Sequence, residues 1–169
     1  MKAKLIVNNQ EIEVEISEEE YKKLQPEKKT GYERCESGAV YFTTTWLGEV
    51  GGEFDDYGEF DDKAYEIANY YSDKTVASNN TRADKLMRQL RRFAVEHREK
   101  ELNWNDDLQD KFYIYYDHSD LFEGLRYHTA RISHWMGTTY FDSAQTAQLA
   151  IDTFHDELIW YFTEYKDSL

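Results

Sequence analysis

Two runs of apolar residues at helical spacing, each led by an aromatic segment, constrain this chain more than any other feature. The first run is Ala83, Leu86, Met87, Leu90, Phe93 and Ala94. The second is Ala147, Ile151, Phe154, Leu158, Tyr161, Phe162 and Tyr165. Apolar side chains three and four residues apart form one stripe of a helix, and such a stripe must be buried against another element. The spacing predicts a helix from near Thr81, and a second one that Asp142 caps, with Gln145 three residues on.

The segments ahead of these helices favour strands. Ala39–Trp46 and Lys111–Tyr116 are rich in β-branched and aromatic residues. Ala64–Tyr71 reads as a further strand, and Thr129–Phe141 as one or two more. Tyr70-Tyr71-Ser72 and Tyr140-Phe141-Asp142 occupy equivalent places before the two helical regions. The core therefore reads as two strand-then-helix units, about 38–101 and 110–167. This pattern is either an internal duplication or a coincidence between two aromatic strands.

Ahead of this core, Glu11-Ile12-Glu13-Val14-Glu15-Ile16 alternates charge and apolar with period two, the mark of a half-buried strand. Lys4–Val7 pairs with it through Asn8-Asn9, residues that tolerate a tight turn. Ser17-Glu18-Glu19-Glu20 opens a short helix to about Leu24, and Pro26 ends it. The expected organisation is an α+β chain. An N-terminal ββα unit spans residues 1–25, a linker runs to Gly31, and a β-rich core with two long helices fills 31–169.

Composition narrows the function classes. The chain has 169 residues, 34 acidic against 20 basic, and a formal charge of −14. Its 40% hydrophobic content is too high for a disordered chain. So negative a molecule repels duplex DNA and anionic membranes and is steered toward cationic protein surfaces; the plainer alternative is that acidity serves solubility. No stretch is long and apolar enough to span a membrane, and the opening run Leu5-Ile6-Val7 is too short for a signal peptide. Cys35 is the only cysteine, so no internal disulfide forms. A cytoplasmic location is expected.

The most unusual segment is Glu49–Asp62. It carries Glu49, Glu53, Asp55, Asp56, Glu59, Asp61 and Asp62 with no basic residue, and Phe54, Tyr57 and Phe60 interleave them. Gly51-Gly52 and Gly58 permit tight turns, so a projecting hairpin or loop is expected. In an extended segment alternate side chains lie about 6.6–6.8 Å apart, a spacing comparable to that of phosphates along a nucleic-acid strand. These seven carboxylates are the candidate partner-binding residues. A solvated loop is one alternative; another is an internal partner, the basic helix bearing Arg82, Lys85, Arg88, Arg91 and Arg92. Calcium fits poorly, because no glycine and terminal glutamate fall at the offsets of an EF-hand loop.

Catalytic signals are weak. Asp117-His118-Ser119-Asp120, with His128 and His134, offers ligand types for a water-activating divalent ion, but at no established spacing. Cys35 lies between Arg34 and Glu36 with no base in view. No phosphate-binding loop, dinucleotide fingerprint or nucleophile elbow occurs. No cofactor and no metal are expected.

Three stretches resemble a known group. They are the opening segment ending Ile16-Ser17-Glu18-Glu19-Glu20-Tyr21-Lys22-Lys23-Leu24, then Tyr113–His118, and Ile132–Ser143. Together they resemble uncharacterised proteins of bacteriophages and mobile elements, some of which are anti-CRISPR inhibitors of type II-A Cas9. The likeness covers the C-terminal third best. It implies a Cas9–guide RNA complex as partner, with the acidic segment acting as a DNA mimic in a basic channel. Some similar inhibitors shorten the guide RNA, so the resemblance also implies an alternative, a metal-dependent ribonuclease using Asp117, His118, Asp120 and His134. A phage regulatory protein with an incidental acidic loop is the third reading.

Overall fold

The computed structural model describes residues 2–7, 10–15, 17–19 and 29–165. The chain divides into two compact units, 1–30 and 31–169.

In the first unit β1 (Lys2–Val7) and β2 (Gln10–Glu15) pair antiparallel, with Leu5 opposite Ile12 and Lys4 opposite Glu13. Glu18 and Glu19 are helical. The rest of the expected helix, with Leu24 and Pro26, lies outside the described residues.

The second unit holds two antiparallel hairpins and four helices among its described residues. The first hairpin pairs β3 (Val40–Thr44) with β4 (Val50–Phe54) and is followed by α1 (Glu59–Glu66) and the long α2 (Lys74–Glu96). The second pairs β5 (Lys111–Asp117) with β6 (Gly124–Ala130) and is followed by α3 (Ala144–Thr153) and α4 (His155–Thr163). The fold is α+β. No helix among the described residues is long and apolar enough to cross a membrane.

Four sequence expectations change. The segment Ala64–Tyr71 is not a strand: its first residues finish α1, Ala68 turns the chain at a φ of 56°, and Tyr71 alone bridges to β3. Aromatic content suggested extension, but the acidic first turn of Glu59, Asp61 and Asp62 favours a helix start. Helix α2 begins at Lys74 rather than near Thr81, because Asp73 caps it by accepting from the backbone N–H groups of Thr75 and Val76. The one or two strands expected within Thr129–Phe141 do not form: β6 lies earlier and ends at Ala130, and Phe141 adds only a bridge to Phe112. Finally, Ser143 rather than Asp142 caps the helix that follows, and that helix breaks at Phe154 into α3 and α4.

Both halves of the unit follow the same path. Phe42 exchanges two main-chain hydrogen bonds with Tyr71 at 2.8 and 2.9 Å, and Phe112 does so with Phe141 at 2.9 and 2.8 Å. A capping residue stands two positions later, Asp73 or Ser143, and Ala77 or Ala147 is then fully buried on the helix. Alanine at that position lets the helix approach the hairpin closely. The main core joins Leu86, Leu90 and Phe93 of α2 to Phe141, Ala147, Ala150 and Leu158. A smaller cluster of Tyr41, Ala64 and Tyr70 lies beneath the first hairpin, next to the acidic segment.

Candidate partner-binding surface

The acidic segment is not one projecting loop. Its residues run as strand β4, a tight turn at 55–58 and helix α1, so a uniform extended spacing of carboxylates does not exist. This geometry divides the seven candidates into an internal and an external set.

The internal set is organised by Arg34. Its Nε donates to Asp55 Oδ2 at 2.6 Å, its Nη2 to Asp55 Oδ1 at 3.0 Å and its Nη1 to Asp62 Oδ1 at 2.8 Å. Asp55 is completely buried and also accepts from the Tyr70 hydroxyl at 2.7 Å and the Tyr57 N–H at 2.9 Å. The guanidinium beside it, helped by these donors, holds the Asp55 carboxyl well below the usual carboxylate range, against the effect of burial. Asp61 is 4% exposed; it accepts from the Tyr41 hydroxyl at 2.8 Å and from the N–H groups of Asp56 and Gly58 at 3.0 and 3.1 Å. The Tyr41 bond leads in pulling its carboxyl down. Tyr41 and Tyr70 stack with centroids 4.0 Å apart, and burial drives both phenols well above their ordinary range. Asp55 and Asp61 thus hold the turn onto the core.

The external set is Glu49, Glu53, Asp56 and Glu59. Asp56 accepts from the Gly58 N–H at 2.9 Å, and Glu59 pairs with Lys63 across one helical turn at 2.6 Å. Phe54 and Phe60, 71% and 69% exposed, are interspersed with these carboxylates along the sequence. No Lys or Arg occurs between Cys35 and Asp62, and Lys63, just beyond, pairs with Glu59 alone of the external set. Large exposed aromatics are enriched on surfaces that another molecule covers.

Among the described residues no ion pair joins the basic helix to the acidic segment. Arg82 pairs with Glu157 at 2.7 Å and covers the Trp160 ring, and Arg92 approaches Glu96 at 3.7 Å. Lys85 and Arg88 line an open groove of about 710 Å³ together with Glu49, Trp46, Leu47 and Asp84, so Glu49 alone of the external set shares a groove with cations of this helix.

The candidate metal ligands occupy separate places. Asp117, at the end of β5, accepts from the Ser119 N–H at 2.9 Å, and that turn lowers its pKa. His118 packs against Tyr116, while His134 lies flat on Trp104 at 4.3 Å. Asp120 is exposed in the turn, and His128 borders Tyr113 on the second hairpin. Among the described residues no three His, Cys, Asp or Glu side chains converge as a metal requires. Cys35 is part of the Arg34 cluster: its N–H donates to the Tyr70 hydroxyl at 2.9 Å.

Sequence reasoning missed Arg34, Tyr41 and Tyr70. The only signal for Arg34 was its position as the lone cation between Thr30 and Lys63. No protein-family model, curated protein or solved structure matches this chain.

Proposed function

We propose that this chain is a protein-binding inhibitor that covers a basic surface of a nucleic-acid-binding protein with its external acidic–aromatic face. The observation that carries the reading is the exposed pair Phe54 and Phe60, interspersed in sequence with Glu49, Glu53, Asp56 and Glu59 along a stretch, 35–62, that holds no Lys or Arg. Such a face suits arginine, whose guanidinium forms paired charge-assisted bonds to carboxylates and stacks on aromatic rings. It competes with nucleic acid for the same cations. The resemblance to anti-CRISPR proteins nominates the Cas9–guide RNA complex as partner, in the cytoplasm of a bacterial host. The interaction would require neither metal nor cofactor.

Gel filtration of the chain mixed with a Cas9–guide complex tests this, with target-DNA binding and guide length followed in the same samples. The reading expects co-elution, reduced DNA binding and intact guide RNA. Separate elution at low salt contradicts that partner. Co-elution with a shortened guide moves the weight to the ribonuclease reading.

A further inference from the structure

In an antiparallel pair alternate residues exchange hydrogen bonds with the neighbouring strand, and those between them point their main-chain groups outward. On β3 the outward groups of two residues are answered. Phe42 exchanges both bonds with Tyr71. The Thr44 N–H donates to Asn69 Oδ1 at 2.8 Å, and its carbonyl accepts from Asn69 Nδ2 at 3.0 Å. The register sets Phe42 opposite Gly52, Thr44 opposite Val50 and Val40 opposite Phe54. Val50, Gly52 and Phe54 therefore present their N–H and C=O groups on the outer edge of β4. No hydrogen bond links that edge to any other element among the described residues.

The side chains of β4 sort by the same alternation. Glu49 and Glu53 flank Gly51 on one face, while Val50 and Phe54 flank Gly52 on the other. Gly52 sits in ordinary packing, where an added Cβ would lie 3.5 Å from Val40 and 3.8 Å from Phe42, whereas at Gly51 it would come within 3.0 Å of the Thr45 methyl. An incoming strand that complements this edge alternates basic and apolar residues.

We propose that the outer edge of β4 takes up an extended basic segment of the partner as a third strand. This rests on the reading of the acidic–aromatic face as a partner surface, and it specifies how that face engages. Main-chain bonds to Val50, Gly52 and Phe54 supply attachment, and cross-strand contact with Glu49 and Glu53 selects cations. Pairing of two copies through this edge is disfavoured, because Glu49 and Glu53 of each would face like charge. The outer edge of β6 offers main-chain groups by the same geometry but carries Arg126 and His128, which repel a basic segment.

The test uses a capped eight-residue peptide of alternating Lys and Val, with amide exchange followed residue by residue at low salt. In the free protein the amides of Val50, Gly52 and Phe54 should exchange faster than those of Gly51 and Glu53. With the peptide they should slow at least tenfold. Gly52→Pro removes an outward donor that the β3 ladder does not use, a substitution that edge strands accept, and it should abolish the protection; Gly52→Ala should keep it. Exchange in the wild-type protein carries the test if Gly52→Pro fails to fold. Binding without slowed amides, or undiminished in a folded Gly52→Pro, overturns the edge inference but leaves the acidic face as a charged surface. No peptide binding overturns the edge inference, while co-elution with the Cas9–guide complex decides the face separately. Slowed amides that appear without peptide as protein concentration rises would assign the edge to a second copy instead.

Discussion

Arg34 and Asp55 meet side-on, Nε to Oδ2 at 2.6 Å and Nη2 to Oδ1 at 3.0 Å, although 21 residues separate them. This contact joins the segment leading into β3 to the turn after β4, and it takes Asp55 out of the exposed charge. Replacing Asp55 by Ala leaves Arg34, Tyr70 and the Tyr57 N–H without their acceptor. The cost should be about 2–3 kcal/mol, below that of a fully buried pair because about a quarter of Arg34 remains exposed. Urea denaturation should show it as a lowered midpoint with little change in slope.

The local patterns of this chain were legible where one element decides its own structure. The alternation at Glu11–Glu15 marks β2, and Leu86, Leu90 and Phe93 mark the buried stripe of α2. Two kinds of feature escaped. Tyr65, Tyr70 and Tyr71 carry strand-forming side chains, yet the helix that starts at Glu59 runs through Tyr65 and leaves Tyr71 only a bridge to β3. The split among the carboxylates is non-local. Nothing near Asp55 or Asp61 in sequence reveals Arg34 or Tyr41, so buried and exposed acids looked alike.

Stability should depend on pH at both ends. Arg34 keeps the native pKa of Asp55, and Tyr41 that of Asp61, below the unfolded value of about 3.9. Their contribution is full above that value and is lost as pH falls through and below it. Tyr71 is pushed up to about 12 by burial. A raised phenol stabilises the fold below the unfolded pKa of about 10 and loses that contribution as pH rises from 10 toward 12. Melting temperature should be level between these windows and fall in each. Asp55→Asn should flatten the acid limb; an unchanged acid limb would show that other carboxylates set it.

The second unit should fold without the first. Gly31 belongs to it, since its carbonyl accepts from the Ser72 N–H at 2.8 Å ahead of α2. A chain beginning at Gly31 should remain soluble and melt in one cooperative transition. Aggregation or a transition without cooperativity would show that residues 1–30 complete the core.

The most direct test of the central claim compares two variants for thermal melting and for binding to the Cas9–guide complex at low and high salt. One carries Glu49→Gln, Glu53→Gln and Glu59→Gln; the other carries Asp55→Asn. The exposed changes should cost about 0.5 kcal/mol or less each, because surface carboxylates contribute little to folding. The account predicts that the triple variant melts close to wild type and binds at least tenfold more weakly, with most of the salt dependence of binding gone. Asp55→Asn should melt earlier and, at temperatures where it remains folded, bind near the wild-type level. A triple variant that folds and binds as tightly as wild type would contradict the account and leave the external carboxylates as a solvated surface.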